Sequence, residues 1–193
     1  IREHDMGGIQ PDLWALSQAL QVSSNIFFAH VGLELGAESY LDYAHRFGFC
    51  DPLAIGPPGR ALGVAPSYVT APVDNDCGPF SGDVELASAA FGQGLTQVTP
   101  VQMAMLAAAI AGDGVMPHPW VVRDVRTHVE GSVMGDSVLQ TFGSLGGTRV
   151  VSSQAAAATR TAMVDAVNEE LGRLFAGQGD ITLYGISNHR SAG

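Results

Sequence analysis

The triplet Ser23-Ser24-Asn25 places two hydroxyls and one amide between two apolar segments. Such side chains accept hydrogen bonds from the unpaired backbone N–H groups at the start of a helix, so one interpretation of the triplet is a helix cap. The other is a piece of an active site. By average residue usage, about one chain of this size in two or three contains Ser-x-Asn by chance, so the triplet alone favours the cap.

The remaining reactive side chains exclude several kinds of chemistry. The chain contains no lysine, and all nine positive side chains are arginine, so no step that needs a deprotonatable amine can use this chain. The six histidines are scattered and none belongs to an H-x-x-x-H pattern, so the sequence predicts no metal and no cofactor. Gly92-Gln93-Gly94 lacks the preceding strand and the lysine of a phosphate loop, and predicts a turn that ends a helix.

The two cysteines, Cys50 and Cys77, flank a segment rich in Pro and Gly. In an oxidising compartment they would cross-link this segment and stabilise the fold by about 3 kcal/mol. The alternative is two unrelated buried thiols. Both interpretations stay open, because two cysteines do not identify the redox compartment.

Composition indicates a folded domain with an acidic surface. Apolar residues make up 46% of the 193 residues, charged residues 15%, and the net charge is −10. This charge argues against a nucleic-acid partner, because phosphate binding needs clustered Lys and Arg. The longest apolar run, Met103 to Ala111, is far shorter than the roughly 20 residues of a membrane helix.

The elements that position the triplet are predicted to be helices. Pro11 and the apolar spacing after it predict a helix that ends near Ser23 and Ser24. A second helix is predicted from Asn25 to its stop at Gly36. A third covers residues 37–47 and stops at Gly48. Residues 49–82 are then predicted to be a long loop, with many Pro and Gly breakers.

The sequence from Asp83 onward predicts more helices and a few strands. Asp83 is the expected N-cap of the next helix, and T-P-V-Q (99–102) is a capping box with Pro at the first helical position. Residues 119–126 and 181–186 are predicted strands, and 127–150 a weak hairpin. Ser152 or Ser153 is expected to cap a last helix that runs to Val167. The predicted fold class is therefore α+β, mainly helical with a few short strands.

Three segments, in this order and spacing, resemble the transpeptidase domain of penicillin-binding proteins. They are A-L-Q-V-S-S-N-I-F-F (19–28), Y-L-D-Y-A-H-R-F-G-F (40–49), and A-F-G-Q-G-L-T-Q-V-T-P-V-Q-M-A-M-L-A-A-A-I-A (90–111). The resemblance runs from about Leu13 to about Trp120 and is closer to the monofunctional class B type. It implies the helical subdomain of the penicillin-binding and β-lactamase-like fold.

The resemblance also implies a chemistry and a site. Enzymes of this family cross-link peptidoglycan stem peptides through a serine acyl-enzyme, and β-lactams acylate the same serine. Ser23 resembles the serine of the family's Ser-x-Asn motif, which implies a proton relay towards the leaving amine. Asn25 resembles its asparagine, which implies a hold on the substrate amide and the catalytic lysine. Gly92-Gln93-Gly94 matches a segment that we interpret as architectural.

The departures from the family pattern concern lysine. Without lysine, neither Ser-x-x-Lys nor Lys-Thr-Gly can occur in this chain. We therefore expect residues 1–193 to be a single partial transpeptidase domain, with the nucleophile helix upstream and most sheet strands downstream. The isolated chain is then expected to be inactive and to expose an apolar face that favours self-association. The intact protein is expected to be membrane-anchored on the extracytoplasmic face of the bacterial cell membrane.

Two alternatives remain at this stage. One lies within the family, as a β-lactam sensor or a β-lactamase relative with different deacylation. The other is a non-catalytic helical binding module in which Ser23-Ser24-Asn25 is only a cap.

Overall fold

The structure, a computed structural model, describes residues 16–56, 62–127, 137–141 and 146–167. The predicted helix start at Pro11 and the predicted strand at 181–186 lie outside these residues. The helices are α1 (Leu16–Gln21), α2 (Asn25–Leu35), α3 (Ala37–Arg46), α4 (Asp83–Ala90), α5 (Pro100–Ala111) and α6 (Ser153–Ala166). The strands are β1 (Leu53–Ile55), β2 (Leu62–Val64), β3 (Pro72–Val73), β4 (Asp76–Cys77), β5 (Val115–Pro117), β6 (Asp124–Arg126), β7 (Val138–Thr141) and β8 (Gly147–Arg149).

Hydroxyl caps start three of the helices where the sequence predicts them. Ser24 caps α2, Thr99 caps α5 with Pro100 as the first helical residue, and Ser152 caps α6. In each case the side-chain oxygen accepts a hydrogen bond from the amide three residues on, at 3.1–3.2 Å. These bonds satisfy amides that have no partner within the helix.

Two of the predicted caps differ from the structure. Gly82, not Asp83, precedes α4, and Asp83 is its first helical residue. An acidic side chain there still interacts favourably with the helix dipole. The capping box at α5 is only half formed, because the Gln102 side chain donates to the Phe47 carbonyl at 2.6 Å. The Thr99 amide donates instead to Ser67 Oγ at 3.0 Å.

The prediction of a continuous loop over residues 49–82 is wrong. This segment contains two short antiparallel pairs, β1 with β2 and β3 with β4. The strands are only two or three residues long, so their side-chain alternation is too short to show in the sequence. The two pairs shape the segment between α3 and α4.

The remaining strands also form two-stranded antiparallel pairs in the described part of the chain. β6 pairs with β7, which confirms a strand near residue 125 but shortens the predicted span of 119–126 to three residues. β5 pairs with β8, which is distant in sequence. The helical body with short strands confirms the predicted α+β class.

Close helix packing sets the position of α2. Gly32 lies against Ala90 of α4, and a Cβ built on Gly32 would come within 2.3 Å of the Ala90 Cβ. Side chains larger than hydrogen at this point would force the two helices apart. The α2–α4 contact therefore fixes the triplet at the start of α2 relative to the end of α4.

A second packed region lies beside α3. Ala44, Phe49, Cys50 and Val69 form a buried cluster, against which Tyr40, Leu41, Phe47, Cys77, Phe80 and Leu106 pack. Among the described residues, no helix combines the length and apolarity needed to cross a bilayer.

Candidate functional site

The triplet is the junction between two helices. The end of α1 is a Schellman motif, in which the Ser24 amide donates to the Ala19 carbonyl at 2.9 Å and the Ser23 amide to the Leu20 carbonyl at 3.2 Å. Ser23 is the residue just beyond the helix in this motif and has a φ of 53°. Ser24 therefore ends one helix and caps the next.

The conformation of Ser23 is unusual for a residue with a Cβ. At the ends of α3 and α4 the equivalent positions are Gly48 and Gly92, both with φ of 77°, and at the end of α5 the residue is Asp113 with φ of 53°. Glycine adopts this conformation without strain, and Asp tolerates it better than most residues. A serine here costs roughly 1–2 kcal/mol, so at Ser23 a side chain is kept at the expense of backbone strain.

The cap of α2 is Ser24 and not its neighbours. Ser24 is 2% exposed, and its Oγ accepts a hydrogen bond from the Phe27 amide at 3.1 Å. Asn25 is the first residue of the helix proper. The capping role is thereby separated from Ser23 and Asn25.

Ser23 and Asn25 line one cavity of about 410 Å³. Phe91 and Gly92, at the end of α4, line the same cavity. The rest of the lining is largely apolar: Leu20, Phe28, Tyr40, Phe49, Val69, Ala89, Ala90, Thr96, Val98, Met103 and Leu106. A few polar groups in an apolar cavity orient a bound group by hydrogen bonds.

The Gly92-Gln93-Gly94 segment is a second Schellman turn. The Gln93 amide donates to the Ser88 carbonyl and the Gly92 amide to the Ala89 carbonyl, both at 2.9 Å. Gly94 also has a positive φ, of 73°. The predicted helix-ending turn is confirmed, and Gly92 lines the same cavity as Ser23 and Asn25.

Tyr40 joins α3 to this turn. Its hydroxyl donates to the Ala89 carbonyl at 2.9 Å, and its ring packs edge-on against Phe80 with the ring centres 5.6 Å apart. Burial raises the pKa of Tyr40. Sequence reasoning missed this contact, because it joins residues 49 positions apart and has no local signal.

The described lining carries hydrogen-bonding groups but no general base. None of its described residues carries a carboxylate, an imidazole or an amine. Hydroxyl-mediated attack on an amide needs a base within hydrogen-bond reach of the hydroxyl. The arrangement therefore supplies hydrogen-bonding groups for a polar backbone or amide, and none of the described lining residues could act as the base.

The cysteine pair lies in the buried cluster beside α3, two members of which, Phe49 and Val69, also line the cavity. Cys50 and Cys77 form a disulfide, with the Cα atoms 5.1 Å apart. Cys50 is 1% exposed and belongs to the buried cluster beside α3. The bond links the segment just after α3 to β4. It decides between the two interpretations of the cysteines in favour of a disulfide.

The family model for the penicillin binding protein transpeptidase domain matches residues 3–185. Peptidoglycan D,D-transpeptidase PbpA of Mycolicibacterium smegmatis is 31% identical over 112 residues, which cover 58% of this chain and 20% of that protein. The chain thus spans about a fifth of the length of that relative.

Solved structures give the same fold. Penicillin-binding protein A from Mycobacterium tuberculosis, as an imipenem acyl-enzyme complex, is 29% identical with a TM-score of 0.64, covering 83% of this chain and 33% of that one. The D,D-transpeptidase domain of a peptidoglycan glycosyltransferase from Eggerthella lenta is 25% identical with a TM-score of 0.64, covering 90% and 41%. With the family model matched over nearly the whole sequence, the chain belongs to the penicillin-binding protein transpeptidase family.

Proposed function

We propose that this chain forms one wall of the active site of a peptidoglycan D,D-transpeptidase, an enzyme that cross-links stem peptides through a serine acyl-enzyme and is acylated by β-lactams. The observation that carries the proposal is that Ser23 and Asn25 line the same cavity while Ser24 caps the helix. Capping of α2 by Ser24 does not by itself account for the place of Ser23 and Asn25 in the cavity lining. This argues against a binding module in which the triplet has no further role.

In the proposed mechanism, Ser23 and Asn25 act on the bound peptide. The Asn25 amide both donates and accepts, so it can hold a substrate amide and orient the catalytic lysine. The Ser23 hydroxyl also donates and accepts, and so can relay a proton from the nucleophile side towards the leaving amine. Holding both groups in one turn of fixed geometry lowers the entropy that the reaction must lose at the barrier.

The nucleophile and its base belong to parts of the protein other than this chain. With no lysine in its 193 residues, the chain supplies neither Ser-x-x-Lys nor Lys-Thr-Gly. We therefore propose that residues 1–193 are a partial transpeptidase domain, completed by a nucleophile helix before it and sheet strands after it. Reading the open reading frame on both sides tests this: Ser-x-x-Lys upstream and Lys-Thr-Gly directly downstream support the enzyme, and their absence favours the binding module.

The isolated chain is expected to be inactive. Intact-mass spectrometry after incubation with penicillin G should show the unmodified mass, because the chain has no lysine to activate a hydroxyl. A covalent adduct on the isolated chain would contradict the partial-domain proposal. A β-lactam sensor or a β-lactamase relative would differ from a transpeptidase in the rate at which the intact protein hydrolyses its acyl-enzyme.

The surroundings of the intact protein follow from the same proposal. Peptidoglycan lies outside the cytoplasmic membrane, so we place the active site on the extracytoplasmic face, held there by a membrane anchor. Cell fractionation with externally added protease tests this, since an exported protein is digested in cells whose membrane is intact. Survival until the membrane is broken would contradict the placement.

We also propose that the isolated chain self-associates through an apolar surface. The exposed β6–β7 pair supports this, because Val125, Val138 and Leu139 are 41%, 50% and 66% exposed. Exposed apolar side chains on a strand pair with unpaired edges favour association. Sedimentation should show a mass that rises with concentration, and Leu139→Ser should reduce it; a monomer at all concentrations would contradict the proposal.

A further inference from the structure

A cluster of potential metal ligands lies outside the cavity, beside the disulfide. Donor atoms of His45, Cys50 and Asp76 all lie within 4.8 Å of one another. Cys77 contributes a second sulfur, because it is bonded to Cys50. The residues are spread over 32 positions, at the end of α3, just after it, and in β4. Their spacing along the chain does not resemble a metal motif, which is why the sequence predicts none.

The carboxylate and the imidazole are already oriented towards each other. Asp76 Oδ1 accepts a hydrogen bond from the Cys77 amide at 2.7 Å and lies 3.5 Å from His45 Nε2. On the other side of the ring, His45 Nδ1 lies 3.7 Å from Asp51 Oδ2. A carboxylate beside the second ring nitrogen is the usual support of a metal-bound histidine, because it fixes the ring and raises its basicity.

We propose that, when the disulfide is reduced, Cys50, Cys77, His45 and Asp76 form a binding site for a zinc ion. Two thiolates, one imidazole and one carboxylate are a donor set that suits tetrahedral Zn²⁺. His45 binds through Nε2, and Asp51 holds Nδ1. This proposal rests on residues outside the cavity and is independent of the proposed function.

The geometry requires only small movements. Zinc–ligand bonds of about 2.0–2.3 Å place tetrahedral donor atoms roughly 3.3–3.8 Å apart. The His45 and Asp76 side chains are 38% and 59% exposed, so they can rotate inward from their present separation without disturbing the core. Cys77 lies in a two-residue strand, and the released sulfur can move away from the buried Cys50.

The site exists only in the dithiol state, so reduction precedes binding. A phosphine reductant breaks the S–S bond and becomes the phosphine oxide, with its oxygen taken from water, and the two sulfurs become thiols. Zn²⁺ then replaces the two thiol protons, which are released to solvent. In the disulfide state neither sulfur is a thiolate, so the same ion has only His45 and exposed carboxylates to bind.

The test is a Co²⁺ titration of the 193-residue chain, reduced with a phosphine in the absence of oxygen. Co²⁺ reports tetrahedral coordination by visible d–d bands and thiolate ligation by a near-ultraviolet charge-transfer band. We expect both bands to saturate at one equivalent, Zn²⁺ to displace them, and the oxidised chain to show neither. A reduced chain without the charge-transfer band, or equal binding by the oxidised chain, would overturn the proposal.

Variants assign the non-sulfur ligands. His45→Gln and Asp76→Asn should each lower the Zn²⁺ affinity of the reduced chain by more than about 100-fold, and Asp51→Asn by about 10-fold, as expected for a supporting residue. His30→Gln, an exposed histidine of α2, is the matched control and should change nothing. Unchanged affinity in both His45→Gln and Asp76→Asn would show that the sulfurs bind without them, contrary to the proposal.

Loss of structure on reduction is also informative. Far-ultraviolet circular dichroism of the reduced chain, with and without Zn²⁺, shows whether helix is lost on reduction and whether Zn²⁺ restores it. If the reduced chain loses helix and Zn²⁺ restores it, binding is coupled to folding, in support of the site. If the reduced chain loses helix and Zn²⁺ does not restore it, the proposal is wrong. The oxidised His45→Gln and Asp76→Asn chains should unfold at the wild-type temperature, since neither side chain is buried.

Discussion

The Ser24 hydroxyl oxygen accepts a hydrogen bond from the Phe27 amide at 3.1 Å, and this bond caps the helix that carries Asn25. The flanking residues Ser23 and Asn25 line a cavity instead. The capping residue thus lies between the two residues that we propose act on the substrate. Substitutions at the three positions should separate stability from activity.

Ser23 should store backbone strain. Ser23→Gly removes the side chain and with it the strain of a Cβ-bearing residue at a φ of 53°. Ser23→Ala removes the same hydroxyl but keeps the Cβ and therefore the strain. We expect Ser23→Gly to be more stable than Ser23→Ala by about 1 kcal/mol, because only glycine adopts this conformation freely. Denaturant unfolding of the two variants measures the difference. Equal stabilities, or a more stable alanine variant, would contradict a strained Ser23.

Gly32 should be intolerant of a methyl group. Gly32→Ala places a Cβ 2.3 Å from the Ala90 Cβ, so the α2–α4 contact must open. Overpacking costs about 1–3 kcal/mol, which exceeds the gain of about 1 kcal/mol in helix propensity. Thermal unfolding should show a lower midpoint for Gly32→Ala.

The same contact provides its own control. Ala90→Gly removes the methyl group that Gly32→Ala would meet, so the double variant should recover stability relative to the sum of the two single changes. A coupling of about 1 kcal/mol or more is expected. Additive single effects would show that the cost of Gly32→Ala does not come from contact with the Ala90 methyl group.

Tyr40 should stabilise the end of α4 through its hydroxyl. Tyr40→Phe removes the bond to the Ala89 carbonyl and should cost about 1 kcal/mol of unfolding free energy at neutral pH. Tyr43→Phe, on the same helix and 40% exposed, is the matched control for loss of a hydroxyl. Equal effects of the two changes would contradict a role for the Tyr40 bond.

The Tyr40 contribution should also depend on pH. Burial raises the pKa of Tyr40, so the phenol stays protonated in the fold above the pH, about 10, at which it ionises in the unfolded chain. The stability that it provides is complete below pH 10 and falls as the pH rises through the folded-state pKa. The gap between wild type and Tyr40→Phe should therefore narrow in alkaline solution. A constant gap would mean that Tyr40 titrates alike in both states.

Local chemistry explains which parts of this fold could be predicted. The starts of α5 and α6 follow from Thr99 and Ser152, because a cap needs only the amides next to it in sequence. The strands within 49–82 escaped prediction because two or three residues carry no period, and pairing partners decide them. The capping-box pattern predicts that the Gln102 side chain bonds to the Thr99 amide, but it donates to the Phe47 carbonyl, 55 residues away in sequence.

The candidate site likewise combines features that local sequence predicts with features that depend on contacts between distant residues. Ser23 and Asn25 could be selected from the sequence through the order of three segments, but their separation from the capping role of Ser24 depends on backbone angles. The cavity wall from Gly92 and Tyr40 depends on contacts between α2, α3 and α4. The pairing of Cys50 with Cys77 likewise needed a distance that spacing along the chain does not provide.

We propose that Asn25 serves catalysis, whereas Ser24 serves stability. In a polypeptide that joins this chain to Ser-x-x-Lys and Lys-Thr-Gly, Asn25→Ala should slow acylation by penicillin G about 100-fold or more, as loss of one oriented hydrogen-bonding group does. Ser24→Ala is the matched control, and should lower the unfolding free energy by about 1 kcal/mol while acylation stays near the wild-type rate.

The measurement is the acylation rate constant with a fluorescent penicillin, read beside the unfolding free energy of each variant. We expect Asn25→Ala to acylate slowly with unchanged stability. We expect Ser24→Ala to be less stable and to acylate near the wild-type rate. Wild-type acylation by Asn25→Ala, with the loss appearing only as stability, would contradict the proposal and leave the triplet as a helix cap.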